Sequence, residues 1–118
     1  MAGKMGGVHY LADYAASKFA TFGLTRAMAA EFEKYPITAN SVCPGLVVTP
    51  MQERKTGWEA RLNGLTPQQV RDGYVPATPV GRISIPEDTA EAVAFLLSDD
   101  AEFITGESIS VDGGAYMD

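Results

Sequence analysis

Tyr14 and Lys18, in the run Asp13-Tyr14-Ala15-Ala16-Ser17-Lys18, are the residues whose types and spacing fit proton-transfer chemistry. On a helix, a spacing of four puts two side chains on one face, one turn apart. A phenol gives up its proton reluctantly at neutral pH, and an ammonium held beside it favours the phenolate. Such a pair can hand a proton to a carbonyl oxygen or take one from an alcohol. Many helices carry the pair by chance, so the surrounding elements decide what it means.

Around the pair, Asp13 is expected as an N-cap, and Tyr14 to about Lys34 runs without Pro and is rich in Ala, Leu, Met and Phe. Phe19, Phe22, Met28 and Phe32 leave that helix few polar faces, which predicts burial on more than one side. Pro36 is expected to end it, with a short strand over Ile37 to Cys43. Pro44-Gly45 breaks the strand, and Leu46-Val47-Val48-Thr49-Pro50 leaves in extended form. Positions 50–76 read as amphipathic and irregular, with one helix around 52–62 and another opened by Thr66-Pro67. Ile85-Pro86-Glu87-Asp88 starts a last helix with an apolar face from Ala90 to Leu97. A strand over Ser108-Ile109-Ser110-Val111 follows, closed by a turn at Asp112-Gly113-Gly114. The order is that of the second half of a doubly wound α/β sheet, in a single unit with no internal repeat.

Composition narrows the class. The chain has 118 residues, 46% of them apolar and 20% charged, as in an ordinary globular protein. Nine basic against fifteen acidic residues give a formal charge of −6, which argues against a nucleic-acid surface. A single Cys, Cys43, and a single His, His9, are too few for a disulfide framework or a usual zinc site. Cys43 is expected as a small buried hydrophobe and His9 as a loop residue. No apolar run approaches the roughly 20 residues that span a bilayer. The N-terminal residues lack a signal-peptide pattern, so no membrane role and a cytoplasmic location are expected.

Five motifs stand in a fixed order: Tyr14-x-x-x-Lys18; Asn40-Ser41-Val42-Cys43-Pro44-Gly45; Thr49-Pro50-Met51; Gly81-Arg82 with Pro86-Glu87-Asp88; and Thr105-Gly106-Glu107 with Val111-Asp112-Gly113-Gly114. Together they resemble the C-terminal half of a single-domain short-chain dehydrogenase/reductase, and the resemblance covers essentially positions 1–118. It implies an α/β fold, the C-terminal half of a Rossmann-type parallel sheet with the N-terminal dinucleotide-binding half absent. It further implies that Tyr14 is the catalytic acid/base and that Lys18 supports it and bonds the nicotinamide ribose. Pro44 and Gly45 would lie beside the nicotinamide of NAD or NADP, with Val47 and Thr49 holding its carboxamide. Thr49 also fits as a cap of the segment after it. Positions 50–85 match the family's substrate lid, where Met51, Trp58 and Tyr74 either line a pocket or pack.

The resemblance also implies what is missing. No strand and glycine-rich turn for a pyrophosphate precede Tyr14, and Met1-Ala2-Gly3 aligns with the tail of the stretch that carries the family's catalytic Ser. Met1 is therefore expected to be an internal methionine of a longer enzyme. That enzyme would move a hydride between a nicotinamide cofactor and a carbonyl or secondary alcohol, such as a polyol, sugar or acetoin-like diol, and would be a homo-oligomer, tetramer or dimer. Two alternatives remain: a 3-oxoacyl reductase-type member, and a catalytically inactive fragment acting at most as an association module.

Overall fold

The protein was analysed as a computed structural model, which describes residues 11–117. Helix α1 spans Ala12–Glu31, strand β1 Ser41–Pro44, helix α2 Pro50–Asn63, helix α3 Pro67–Tyr74, helix α4 Pro86–Leu96 and strand β2 Ser108–Val111. Single 3-10 turns cover Val75–Ala77 and Asp99–Ala101. His9 and the glycine-rich start lie outside the described residues.

The strands pair in parallel, with Ser41 opposite Ser108 and Pro44 opposite Val111. Parallel pairing requires a long crossover, supplied here by the helices between positions 50 and 96. Ser41 and Ser108 share a hydroxyl–hydroxyl hydrogen bond of 2.9 Å across the pair. Below the strands, the Asn40 amide donates to Ile104 O (2.7 Å) and accepts from Glu107 N–H (3.1 Å). Thr105 Oγ1 accepts from Ala39 N–H (3.1 Å), and Gly106 N–H donates to Ala39 O (2.7 Å). Two of the five motifs, the one opening at Asn40 and the one at Thr105, are thus one clasp that sets the register.

The helix starts that depend on local chemistry fall where the residues place them. Thr66 and Gln69 form a reciprocal capping box with Pro67 at the first helical position. Pro86 opens α4, and Asp88 Oδ2 accepts from the Ile85 N–H (2.8 Å). α1 differs from expectation. Leu11 rather than Asp13 occupies the N-cap position, and Asp13 sits inside the first turn, bonding the Tyr14 N–H. There its charge faces the positive end of the helix, two residues further in than the N-cap. The helix stops at Glu31, not near Lys34, because a bond from Tyr35 N–H to Phe32 O tightens the chain into turns ahead of Pro36. The first strand is also shorter than expected: Ile37 N–H turns back to Tyr35 O, and Ala39 and the Asn40 side chain are taken up by the clasp.

The expected burial of α1 on more than one side is not found. Thr25 is the one buried residue of α1, and Phe19 and Leu24 are largely exposed. No residue of α4 is buried, and Leu97 just beyond it is 83% exposed. Amphipathic faces bury only where a partner meets them, and the two short strands cover only part of these helices. The molecule is elongated, 56 × 29 × 24 Å, with a radius of gyration of 16.5 Å; a compact chain of this length has about 13–14 Å.

Candidate active site

Tyr14 and Lys18 meet as the spacing requires. The Lys18 Nζ lies 5.3 Å from the centroid of the Tyr14 ring, over its face, where the ring quadrupole attracts a cation. Tyr14 is 48% exposed, so its phenol is open to a molecule from solution. The helix beneath is trussed by hydroxyls: Ser17 Oγ donates to Tyr14 O (2.7 Å), Thr21 Oγ1 to Ser17 O (3.2 Å) and Thr25 Oγ1 to Thr21 O (2.9 Å). Each such bond satisfies a hydroxyl against the preceding turn of its own helix. The ladder starts at the backbone of Tyr14 and was not foreseen from the residue types.

The second set, Pro44, Gly45, Val47 and Thr49, occupies the segment that leaves the carboxyl end of β1. Gly45 N–H donates to Val111 O (3.2 Å), extending the pairing by one residue. Its lack of a side chain has a local cause: a methyl group there would lie 2.7 Å from Asp112 Cβ and 2.9 Å from Asp112 Cα. Within this chain the close approach at Gly45 is to Asp112. Val47 forms an isolated parallel bridge with Ser84, with Val48 N–H donating to Ser84 O (2.8 Å) and Ser84 N–H to Leu46 O (3.1 Å). Thr49 is the N-cap of α2, its Oγ1 accepting from Gln52 N–H (3.2 Å). A capping hydroxyl still has its own proton to donate.

Between the two stems of the excursion, α2 and α3 form a helical hairpin with Thr56, Ala60 and Val70 buried. Glu53 and Arg71 form an ion pair at 2.6 Å, and Tyr74 Oη donates to Glu59. Burial first, then the hydrogen bond and charge of Glu59, push the Tyr74 phenol up to about 12. Tyr74 thus packs, whereas Met51 and Trp58 stand largely exposed. At the foot of the excursion, Arg82 grips Asp88 with two bonds of 2.6 and 2.7 Å, and Ser84 Oγ adds a third at 3.1 Å. These donors and the Ile85 N–H hold the Asp88 carboxyl well below the usual carboxylate range. Cys43 is buried, and Asp112-Gly113-Gly114 forms a turn, both as the residue types imply. Among the described residues no cluster of His, Cys, Asp and Glu could hold a metal, and no helix is long and apolar enough to cross a membrane.

The structure therefore holds a phenol–ammonium pair on a helix and a glycine turn at the carboxyl end of a parallel strand, the end at which open α/β sheets bind ligands. The family model described as Enoyl-(Acyl carrier protein) reductase matches residues 1–116. The chain belongs to the short-chain dehydrogenase/reductase family. Within that family it is 42% identical, over 98% of its length, to (3R)-3-hydroxyacyl-CoA dehydrogenase of Canis lupus familiaris, of which it covers 40%. Identity to meso-2,3-butanediol dehydrogenase of Serratia marcescens is 44%, over 94% of this chain and 40% of that protein. The crystal structure of sorbitol-6-phosphate 2-dehydrogenase from Erwinia amylovora superposes with a TM-score of 0.89 at 35% identity, covering 99% of this chain and 46% of that one. The chain spans about 40% of the length of these curated relatives. Its two parallel strands and flanking helices are part of the Rossmann-type sheet of short-chain dehydrogenases/reductases.

Proposed function

We propose that this chain carries the proton-transfer half of an NAD- or NADP-dependent oxidoreductase acting on a carbonyl/secondary-alcohol pair. The observation that carries the proposal is the Lys18 ammonium lying over the face of the exposed Tyr14 ring. The donor set fits a nicotinamide riboside: a phenol and an ammonium on one face of α1, and a Thr49 hydroxyl proton left free by its capping role. In this assignment residues 1–118 belong to one Rossmann-type domain, with positions 50–85 as the lid over the substrate.

The nicotinamide, when bound, supplies or receives the hydride. Tyr14 Oη gives its proton to the carbonyl oxygen as negative charge develops there, and Lys18 stabilises the phenolate left behind. In the reverse direction the phenolate takes the alcohol proton. Lys18 also donates to the ribose hydroxyls. The Pro44-Gly45 turn presents backbone to the ring, and Val47 and Thr49 hold the carboxamide. Identity to a butanediol dehydrogenase and a sorbitol-6-phosphate dehydrogenase supports a polyol, sugar or acetoin-like diol as substrate. Identity of 42% to a hydroxyacyl-CoA dehydrogenase supports the second reading, a 3-oxoacyl thioester. In the full-length enzyme a cytoplasmic homo-oligomer is proposed.

Replacing Tyr14 with Phe in a turnover-competent full-length form tests the assignment. Turnover is expected to fall by about 10²–10⁴-fold, with nicotinamide affinity unchanged; retained turnover refutes the role of Tyr14. The exposed faces of α1 and α4 support a further reading, that the 118-residue chain alone is inactive and at most associates. Titration with NADH and NADPH, followed by nicotinamide fluorescence, should then show no saturable micromolar binding.

A further inference from the structure

The turn Asp112-Gly113-Gly114 touches two regions that are far apart in sequence. On one side it seats Gly45, with the 2.7 and 2.9 Å approaches that exclude any side chain there. On the other, Gly113 adopts φ +65°, and a methyl group on it would lie 2.5 Å from Thr78 Cγ2 and 3.4 Å from Val80 Cβ. Val80 N–H donates to Gly113 O (3.1 Å), and Thr78 is buried. What holds the turn in this shape is the Asp112 carboxylate, itself 6% exposed: Oδ1 accepts from Gly114 N–H (3.0 Å) and Oδ2 from Tyr116 N–H (3.1 Å). Both oxygens of a buried carboxylate are thus spent on backbone amides, a strong and shape-defining use of the charge.

We infer that Asp112 is a positioning residue: by fixing its turn it locks the Pro44-Gly45 turn and the C-terminal stem of the 50–77 excursion into one unit. The inference rests on the assignment of Pro44-Gly45 to the cofactor side and of the excursion to the substrate side. Under it, the two sides of the site share one brace, and neither moves without the other. Asn cannot substitute fully, because its amide NH₂ would face one of the two N–H donors that the carboxylate accepts.

Amide hydrogen exchange on the 118-residue chain tests the brace with no cofactor present. In Asp112→Ala, exchange at Gly45 and Val80 should quicken about tenfold, together with Gly114 and Tyr116, while α1 amides stay as they are. Asp112→Asn should restore part of the protection, and it gives the same pattern on a smaller scale if the Ala variant does not fold. Gly45→Ala should in turn quicken Gly114 and Tyr116. Acceleration confined to residues 113–117, or equal acceleration throughout α1, overturns the proposal. Because no turnover is measured, either result leaves the role of Tyr14 standing, and loss of that role leaves the brace standing.

Discussion

The α2–α3 hairpin is built from the more polar helices and the α1–α4 faces from the more apolar ones, yet it is the hairpin that ties its own helices together, with Met51, Trp58 and Leu62 left on its outside. It buries Thr56, Ala60 and Val70, caps itself with Thr66 and Gln69, and ties its helices with Glu53–Arg71 and Glu59–Tyr74. All of these partners lie within about one hairpin of each other along the chain. The faces of α1 and α4 present Phe19, Leu24, Phe95 and Leu97 to solvent. A segment whose contacts are local completes itself; one whose contacts are to distant chain does not. That division teaches where stability resides in this chain.

The sharpest way to break the comparison is to overfill the hairpin. Ala60 is 3% exposed, so Ala60→Leu should cost about 1–3 kcal/mol. The loss should be read as faster exchange confined to residues 50–77; equal loss in α1 would show that the hairpin is not independent. Next, Thr66→Ala removes one half of the capping box and should cost about 1 kcal/mol, seen as fraying of α3 by exchange at Gln69.

A third test is alkaline. The folded Tyr74 titrates at about 12 against an ordinary 10.0, so the folded state holds its proton through that window. Its contribution is complete below pH 10 and is lost as pH rises through about 12. Tyrosinate absorbance should show the late Tyr74 phenol, and Glu59→Gln should bring it part of the way back toward 10.0, burial accounting for the rest. The smallest effect belongs to the open face: Leu24 of α1 is 61% exposed, so Leu24→Ser should change stability by less than about 0.5 kcal/mol, measured by urea unfolding. A larger loss would mean that face has a partner.

What the sequence made legible follows the same division. Thr66-Pro67 and Ile85-Pro86 mark helix starts because their causes sit within four residues. The late strand and its Asp-Gly-Gly turn were equally readable, as was the contact of Tyr14 with Lys18, which spacing alone dictates. The end of α1 was not, since the bond from Tyr35 N–H to Phe32 O turns the chain ahead of Pro36, and the start of β1 was not, since Ala39 and Asn40 are held by partners at 104–107. Burial of α1 was overestimated for a related reason: periodicity says which face is apolar, not whether anything covers it. Glu53–Arg71 lies 18 residues apart and has no periodic signature. At Gly45 the atoms that demand glycine belong to Asp112, 67 positions away and without any local signature.

The Ser41–Ser108 bond joins residues 67 positions apart. Closing so long a loop has an entropic cost that grows with the logarithm of its length, and parallel pairs between distant segments form slowly. During folding, β1 has no partner strand among the described residues until β2 has been made and brought back. The hairpin lies inside that loop and its contacts are local, so every residue it orders shortens the span that the two strands have to close.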